Sequence, residues 1–327
     1  MSKYNHSTIG LMLRGAAMGM AEVIPGVSGG TIAFITGIYE RLINSIKSVG
    51  FDLVGIIKKD GVAGLWRAVD GNFLLFLIGG MILGIVVGVF GIGYLLENYP
   101  PIVWAFFFGL ILGSVFYIGK QIERWTWKEM IALILCTVIA FGLTTMLPAA
   151  GSESYIYVFI SGMIAISALI LPGISGSFIL LIMGMYTYIV QDTLKGVLST
   201  FALDKIITMI VFGLGCLTGL MSISRILSWT FVNYKNITLA ALTGFMLGSL
   251  NKIWPWKKAT QWLLDGDGNI LLDEFGLPDK ILMEDNISPS AYYALTGLPN
   301  YLPYAILFFI LGMGIVFLMS MADNKDS

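Results

Sequence analysis

The sequence predicts an all-α polytopic membrane protein made of two inverted-topology repeats. Each repeat is a Pro-Gly-broken, re-entrant helical hairpin followed by three transmembrane helices. Three observations carry this reading. Of the 327 residues, 57% are hydrophobic and only 12% are charged, where an ordinary soluble domain holds roughly 25% charged residues. The apolar residues gather into runs that approach or reach the roughly 20 residues needed for a helix to cross a bilayer. A Pro-Gly-aliphatic-Ser-Gly motif interrupts that apolar sequence twice, at Pro25 and at Pro172.

The elements follow in chain order. The first repeat covers residues 1–150. It contains a hairpin at 9–46 broken by Pro25-Gly26, an interfacial segment at 47–72, and transmembrane helices within 73–148. Lys47, Lys58, Lys59 and Arg67 alternate with Val, Ile, Leu and Trp66 in the interfacial segment, the pattern of a helix lying in the headgroup region. The second repeat covers 151–327. It contains a hairpin at 155–191 broken by Pro172-Gly173, transmembrane helices at 204–252 and 300–321, and a polar insertion at 253–299. Lys3 and Arg14 precede an apolar stretch, but Glu22-Val-Ile-Pro-Gly is a poor cleavage site, so this segment is expected to remain in the mature chain.

The internal repeat is read from matched residues. Pro25-Gly-Val-Ser-Gly-Gly-Thr31 aligns with Pro172-Gly-Ile-Ser-Gly-Ser-Phe178, and Gly37-Ile-Tyr39 with Gly184-Met-Tyr186, at an offset of 147. Gly80 and Gly84 align with Gly215 and Gly219, and Gly109-Leu-Ile-Leu-Gly-Ser114 with Gly244-Phe-Met-Leu-Gly-Ser249, at an offset of 135. The difference falls at the interfacial segment, which is longer in the first repeat. Whether the members of each hairpin both span or both turn back, each half crosses the membrane an odd number of times. The second half is then inverted relative to the first, a plan common among secondary transporters; only a hairpin that crosses once would give parallel repeats. Charge agrees. Lys47, Lys58, Lys59, Arg67, Lys120, Arg124, Lys128 and Lys235 fall on one side, and loops 97–100 and 149–154 on the other hold no Lys or Arg. By the positive-inside rule both termini are cytoplasmic and the insertion is outside; Lys195 and Lys205 run against that bias.

Chemistry concentrates at the two motifs. Proline has no amide donor and breaks the preceding helix. Open backbone at membrane depth survives only where protein or a water-filled cavity surrounds it. A helix that restarts after such a break presents free N–H groups and the positive end of its dipole. Ser28, Thr31, Ser175 and Ser177 add hydroxyls to the backbone of Gly26, Gly29, Gly30, Gly173 and Gly176. Two such ends can converge on an anion such as a phosphate, or they can be two structural kinks. Glu22 is an intramembrane carboxylate, a functional candidate by default. It either binds a coupling proton or cation, or is satisfied by Arg14 or by the broken backbone. Arg14 and Arg225 either pair with phosphate or snorkel to the interface, the latter favoured for Arg225. Glu40-Arg41 reads as a boundary pair.

Other features read as structure. Gly15/Gly19, Gly80/Gly84/Gly88, Gly109/Gly113, Gly215/Gly219 and Gly244/Gly248 have the small-xxx-small spacing of close helix contacts. Trp125, Trp127, Trp254 and Trp256 read as interface anchors. Cys136 and Cys216 lie in apolar runs and read as small buried hydrophobes, with neither a disulfide framework nor a metal site indicated. His6 is the one histidine. Asp265-Gly-Asp-Gly-Asn269 departs from a calcium loop at Ile270 and Gly276 and reads as a turn-rich loop. No catalytic set, phosphate-binding loop or cofactor motif is present. A net charge of -1 leaves no basic face for nucleic acid.

Arg14-Gly-Ala-Ala-Met-Gly-Met20, Glu22-Val-Ile-Pro-Gly-Val-Ser-Gly-Gly-Thr-Ile-Ala33 and Leu171-Pro-Gly-Ile-Ser-Gly-Ser177 resemble the polyprenyl-phosphate transporter family, bacterial and archaeal membrane proteins long catalogued as a domain of unknown function. The resemblance covers nearly the whole chain, although the 253–299 insertion is longer than that family suggests. It implies a flippase that moves undecaprenyl phosphate or a related polyprenyl phosphate across the cytoplasmic membrane, returning the lipid carrier to envelope glycan synthesis. Its partners would be that lipid and the surrounding membrane lipids, with an oligomer left open. The alternatives are a secondary transporter of a small soluble anion, a membrane enzyme acting on a lipid phosphate, and a membrane scaffold.

Overall fold

A computed structural model describes residues 7–24, 26–50, 52–194, 196–197, 201–262 and 281–323. Pro25, His6, Lys195 and the Asp265–Asn269 loop lie outside these residues. The first half runs α1 (Thr8–Glu22), α2 (Gly29–Ile35), α3 (Tyr39–Lys47), α4 (Asp52–Ala68), α5 (Gly71–Asn98), α6 (Pro100–Gly119) and α7 (Trp127–Thr145). The second runs α8 (Tyr155–Ile170), α9 (Gly176–Ile182), α10 (Thr187–Thr193, wound as a π-helix), α11 (Leu203–Asn233) and α12 (Lys235–Ser249). After these come β1 (Lys257–Trp262), β2 (Ile281–Asn286), α13 (Pro289–Thr296) and α14 (Leu302–Asp323).

Among the described residues five helices, α5, α6, α7, α11 and α14, are long and apolar enough to cross a membrane. Their outer faces stay apolar: Leu75, Ile78, Ile82 and Phe90 of α5, and Ile131, Ile134 and Val138 of α7, are all exposed. A helix apolar on every side is at home in lipid, so the chain is a multi-pass membrane protein. The segment expected to lie in the headgroup region contains α4, where Gly61 adopts φ 63 and bends the helix. Arg41 reaches past its neighbour Glu40 to pair with Asp70, at 2.7 and 3.1 Å, with its guanidinium 4.4 Å from the centroid of the Phe73 ring. This corrects the boundary-pair reading: the arginine fastens α3 to the start of α5.

Four helix pairs dominate the packing: α1 with α5, α8 with α11, α6 with α14 and α7 with α12. Small residues set their separation. A side-chain carbon added at Gly15 or Gly19 would overlap the carbonyls of Leu77 or Met81, and one at Gly80 or Gly84 those of Met12 or Ala16. The α8–α11 contact reproduces this with Gly215 against Phe159 and Gly219 against Met163. Gly109 meets Phe309 and Gly312 meets Phe106 between α6 and α14, while Gly244 and Gly248 meet Leu133 and Thr137 between α12 and α7. Lipid tails offer helices little hydrophobic reason to associate, so backbone approach of this kind supplies van der Waals contact. The pairing crosses the halves: the last long helix of each half packs on the Gly-xxx-Gly helix of the other.

The insertion folds partly into an antiparallel β-hairpin, with Lys257 opposite Asn286 and Lys258 opposite Asp285. Trp256 is buried beside Tyr292 and Ala305 and donates its indole N–H to Asn300 O, at 2.8 Å. Trp254 donates to Ile287 O, at 2.9 Å. Buried Trp256 therefore packs the insertion against α6 and α14 instead of facing lipid. The hairpin was not foreseen from sequence.

Candidate functional site

The two Pro-Gly motifs break their helices in the same way. Helix α1 stops at Glu22 and α2 starts at Gly29; α8 stops at Ile170 and α9 starts at Gly176. Gly26 takes φ +86 and Gly173 takes φ +87, a left-handed conformation that costs glycine little and other residues much. After each seven-residue helix the chain turns again, at Gly37 (φ +73) and Gly184 (φ +67). The turns close with equivalent bonds, Ile38 N–H to Ala33 O at 3.0 Å and Met185 N–H to Leu180 O at 2.8 Å. Farther on, Tyr99 and Tyr234 end α5 and α11 in nearly identical conformations, φ -137 ψ 46 and φ -141 ψ 47. The backbone thus repeats at both offsets read from the sequence.

The two breaks touch. Ser28 Oγ donates to Leu169 O at 3.0 Å, and Tyr39 Oη donates to Ile170 O at 3.2 Å. Gly173 N–H donates to Thr31 Oγ1 at 2.9 Å. The last carbonyls of α8, which have no partner within their own helix, therefore accept from the first motif. Ser28, Thr31 and Gly173 are buried. A side-chain carbon at Gly30 would lie 2.6 Å from Ile170 O, so glycine is required for this approach.

The halves are not chemically equivalent. Glu22 Oε1 accepts from Gly29 N–H at 2.6 Å, and Ser28 Oγ caps Gly30 N–H at 3.1 Å. The start of α2 is thus already satisfied by a carboxylate and a hydroxyl from its own half. The positions equivalent to Glu22 and Thr31 are Leu169 and Phe178. At the second break Ser175 is buried and makes a 2.9 Å hydroxyl contact with exposed Ser177, without capping α9. Gly176 packs against α8, where an added carbon would lie 2.7 Å from Ala165 O. Buried Pro172 forms the turn. Arg14 donates from Nε to Thr36 O at 3.3 Å, tying the middle of α1 to the end of α2. Arg225 is exposed and donates to Met221 O in its own helix at 3.0 Å.

One group beside the breaks was missed from sequence. A cleft of about 280 Å³ is lined by Thr144, Phe178, Asn251, Lys252, Lys257 and Glu284, among others. Lys252 and Lys257 lie 3.3 and 3.4 Å from the same Glu284 oxygen. Burial pulls the Lys257 ammonium down to about 8 against the opposing pull of Glu284. Burial alone would raise Glu284, but the Lys257 and Lys252 ammoniums outweigh it and hold the carboxylate below its ordinary value. The available sequence signal was a lysine at each end of an Ile-Trp-Pro-Trp segment just after α12; Glu284 is too remote in sequence to be paired with them. Cys136 and Cys216 are free and half-buried. Among the described residues no three His, Cys, Asp or Glu groups gather to hold a metal ion.

Long lipid-facing helices packed around two interrupted ones define a multi-pass membrane protein with irregular backbone held inside protein. More particularly, residues 18–271 match the family described as VCA0040-like, undecaprenyl phosphate translocase-like, and the chain belongs to that family. It is 43% identical over 304 residues to the polyprenyl-phosphate transporter of Vibrio cholerae serotype O1, covering 93% of each chain. It is 34% identical over 258 residues to the polyprenyl-phosphate transporter of Staphylococcus aureus, covering 75% of this chain and 85% of the relative. No solved structure matches it.

Proposed function

We propose that this protein carries undecaprenyl phosphate or a related polyprenyl phosphate across the cytoplasmic membrane without changing it chemically, so that the carrier returns to envelope glycan synthesis. One observation carries the mechanism: the two breaks meet through Ser28–Leu169, Thr31–Gly173 and Tyr39–Ile170, in a chain whose relatives are named for this substrate. Hydrogen-bond donors from both motifs hold the phosphate, and the prenyl tail stays in lipid. The 1–150 and 151–327 halves act as inverted repeats and rock about the contact between the breaks. Each break belongs to a re-entrant hairpin. Both termini face the cytoplasm and the insertion faces outside.

Glu22 gives the cycle its electrostatic logic. Its carboxylate holds the amide of Gly29, the kind of donor a phosphate oxygen would take. A phosphate entering the first motif must displace that carboxylate. Protonation of Glu22, or a cation on it, lowers the cost of that exchange, and this is how an ion gradient couples to transport. No cofactor takes part.

The test uses purified protein in liposomes and a leaflet-resolved readout of headgroup accessibility. Ser28→Ala, Gly29→Ala, Ser175→Ala and Gly176→Ala variants that fold normally are expected to lose headgroup transfer. Transfer at the wild-type rate in all four would remove the motifs from the mechanism.

A further inference from the structure

We propose that Lys252 and Lys257 form a receiving site for a phosphate monoester headgroup, which Glu284 of the β1–β2 hairpin fills as a resident anion until a phosphate displaces it. The inference rests on the transporter reading and adds a site to it.

Among the described residues the charges of the cluster are uneven. Two ammoniums meet one carboxylate. The second acid of the cleft, Asp285, is exposed and sits opposite Lys258 in the hairpin register. The three clustered side chains are only 17%, 5% and 18% exposed, for Lys252, Lys257 and Glu284 respectively. Excess positive charge in such a place is costly unless paired. A phosphate monoester carries about -1.5 to -2 charges at neutral pH, which matches two lysines better than one carboxylate does.

Position points the same way. The Lys252 stem packs on Gly26 of the first break, where an added carbon would lie 2.9 Å from Lys252 Cγ. The Lys252 ammonium lies 5.2 Å from the centroid of the Phe178 ring, just after the second break. One lysine side chain therefore lies beside both motifs, its stem at the first and its ammonium at the second. Lys257 is steadied by the Trp104 ring, 3.5 Å from Nζ to the centroid, a cation–π contact. Phe178, Leu181 and Met146 give the cleft an apolar wall suited to the first isoprene units beyond a phosphate. Glu284 stands on β2, outside the spanning helices, so its side chain can turn away from the two lysines without unpacking those helices.

The full chain in nanodiscs tests this with three probes: undecaprenyl phosphate, undecaprenol and inorganic phosphate. Glu284→Gln is expected to tighten undecaprenyl phosphate binding about tenfold, because the resident competitor is gone. Lys252→Gln and Lys257→Gln are expected to weaken it about tenfold or more, and Lys257→Arg to retain most of it. Undecaprenol binding is expected to stay unchanged in every variant. Competition by inorganic phosphate assigns recognition to the anion itself; its absence assigns it to the phosphate carried on lipid. A purely structural ion cluster gives the opposite pattern: Glu284→Gln lowers stability and leaves affinity unchanged or reduced, which overturns the inference. Should Lys257→Gln fail to fold, the less buried Lys252→Gln decides, and wild-type affinity in it also overturns the inference. Wild-type protein that binds no lipid phosphate would instead overturn the transporter reading beneath it.

Discussion

Replacing Gly30 by alanine is expected to push the two breaks apart. The new carbon would sit 2.6 Å from Ile170 O and 3.2 Å from Leu169 O, whereas carbon–oxygen contacts of this kind settle at roughly 3.3–3.6 Å. Helix α2 must therefore retreat by about 0.7 Å or more. Overpacking of this sort costs about 1–3 kcal/mol. The retreat also stretches bonds that now measure 3.0 Å (Ser28–Leu169) and 2.9 Å (Gly173–Thr31), each worth about 1 kcal/mol. The expected total is about 2–5 kcal/mol. Gly93→Ala is the control, since nothing lies within 4 Å of an added carbon there; in an exposed helix it gains up to about 1 kcal/mol. Unfolding of both variants in the same detergent, read beside transfer in liposomes, gives the comparison. Gly30→Ala should lose stability and transfer together. If it matches Gly93→Ala in both, the contact between the breaks is not what holds or works the site.

Thr31→Val removes the acceptor for the buried Gly173 amide and should cost about 1–3 kcal/mol in equilibrium unfolding; no loss would mean that amide finds another partner. Asp70→Asn should cost less than about 1 kcal/mol, because its ion pair with Arg41 is about a third exposed, while Arg41→Ala should cost more because it also loses the Phe73 ring. Glu284 titrates below its ordinary value, so the stability it contributes is present above that value and fades only as pH falls through the depressed one. Amide exchange in β1 and β2, corrected for intrinsic rates, should therefore stay constant between about pH 7.5 and about 5.5, and loosening in that range would contradict the ion-pair assignment.

The long helices were legible in the sequence because lipid demands unbroken apolar runs, and α5, α11 and α14 begin within a few residues of 73, 204 and 300. The breaks were legible because Pro-Gly punctuates such runs, and Gly26 and Gly173 adopt nearly the same left-handed φ. The glycine spacings marked real contacts, such as Gly84 on Ala16. The exchange of helices between halves was not legible, since a repeat tells which helices correspond and not which ones touch. Glu22 stands out in the sequence as an acid inside an apolar run, and the structure shows it satisfied by broken backbone. The Lys252–Lys257–Glu284 cluster stayed hidden because its carboxylate arrives from a hairpin partner, and strand pairing inside a polar insertion carries no apolar period to read. For the same reason Trp256 looked like a lipid anchor when it is a buried rivet.

The account is tested most directly by reconstituting the protein in liposomes with undecaprenyl phosphate on one side, against undecaprenol of the same chain length. Protein-dependent appearance of the phosphate in the opposite leaflet, with no acceleration of the alcohol, is the expected result. Equal movement of both lipids, or of neither, would contradict a pathway built to hold a phosphate between the two breaks.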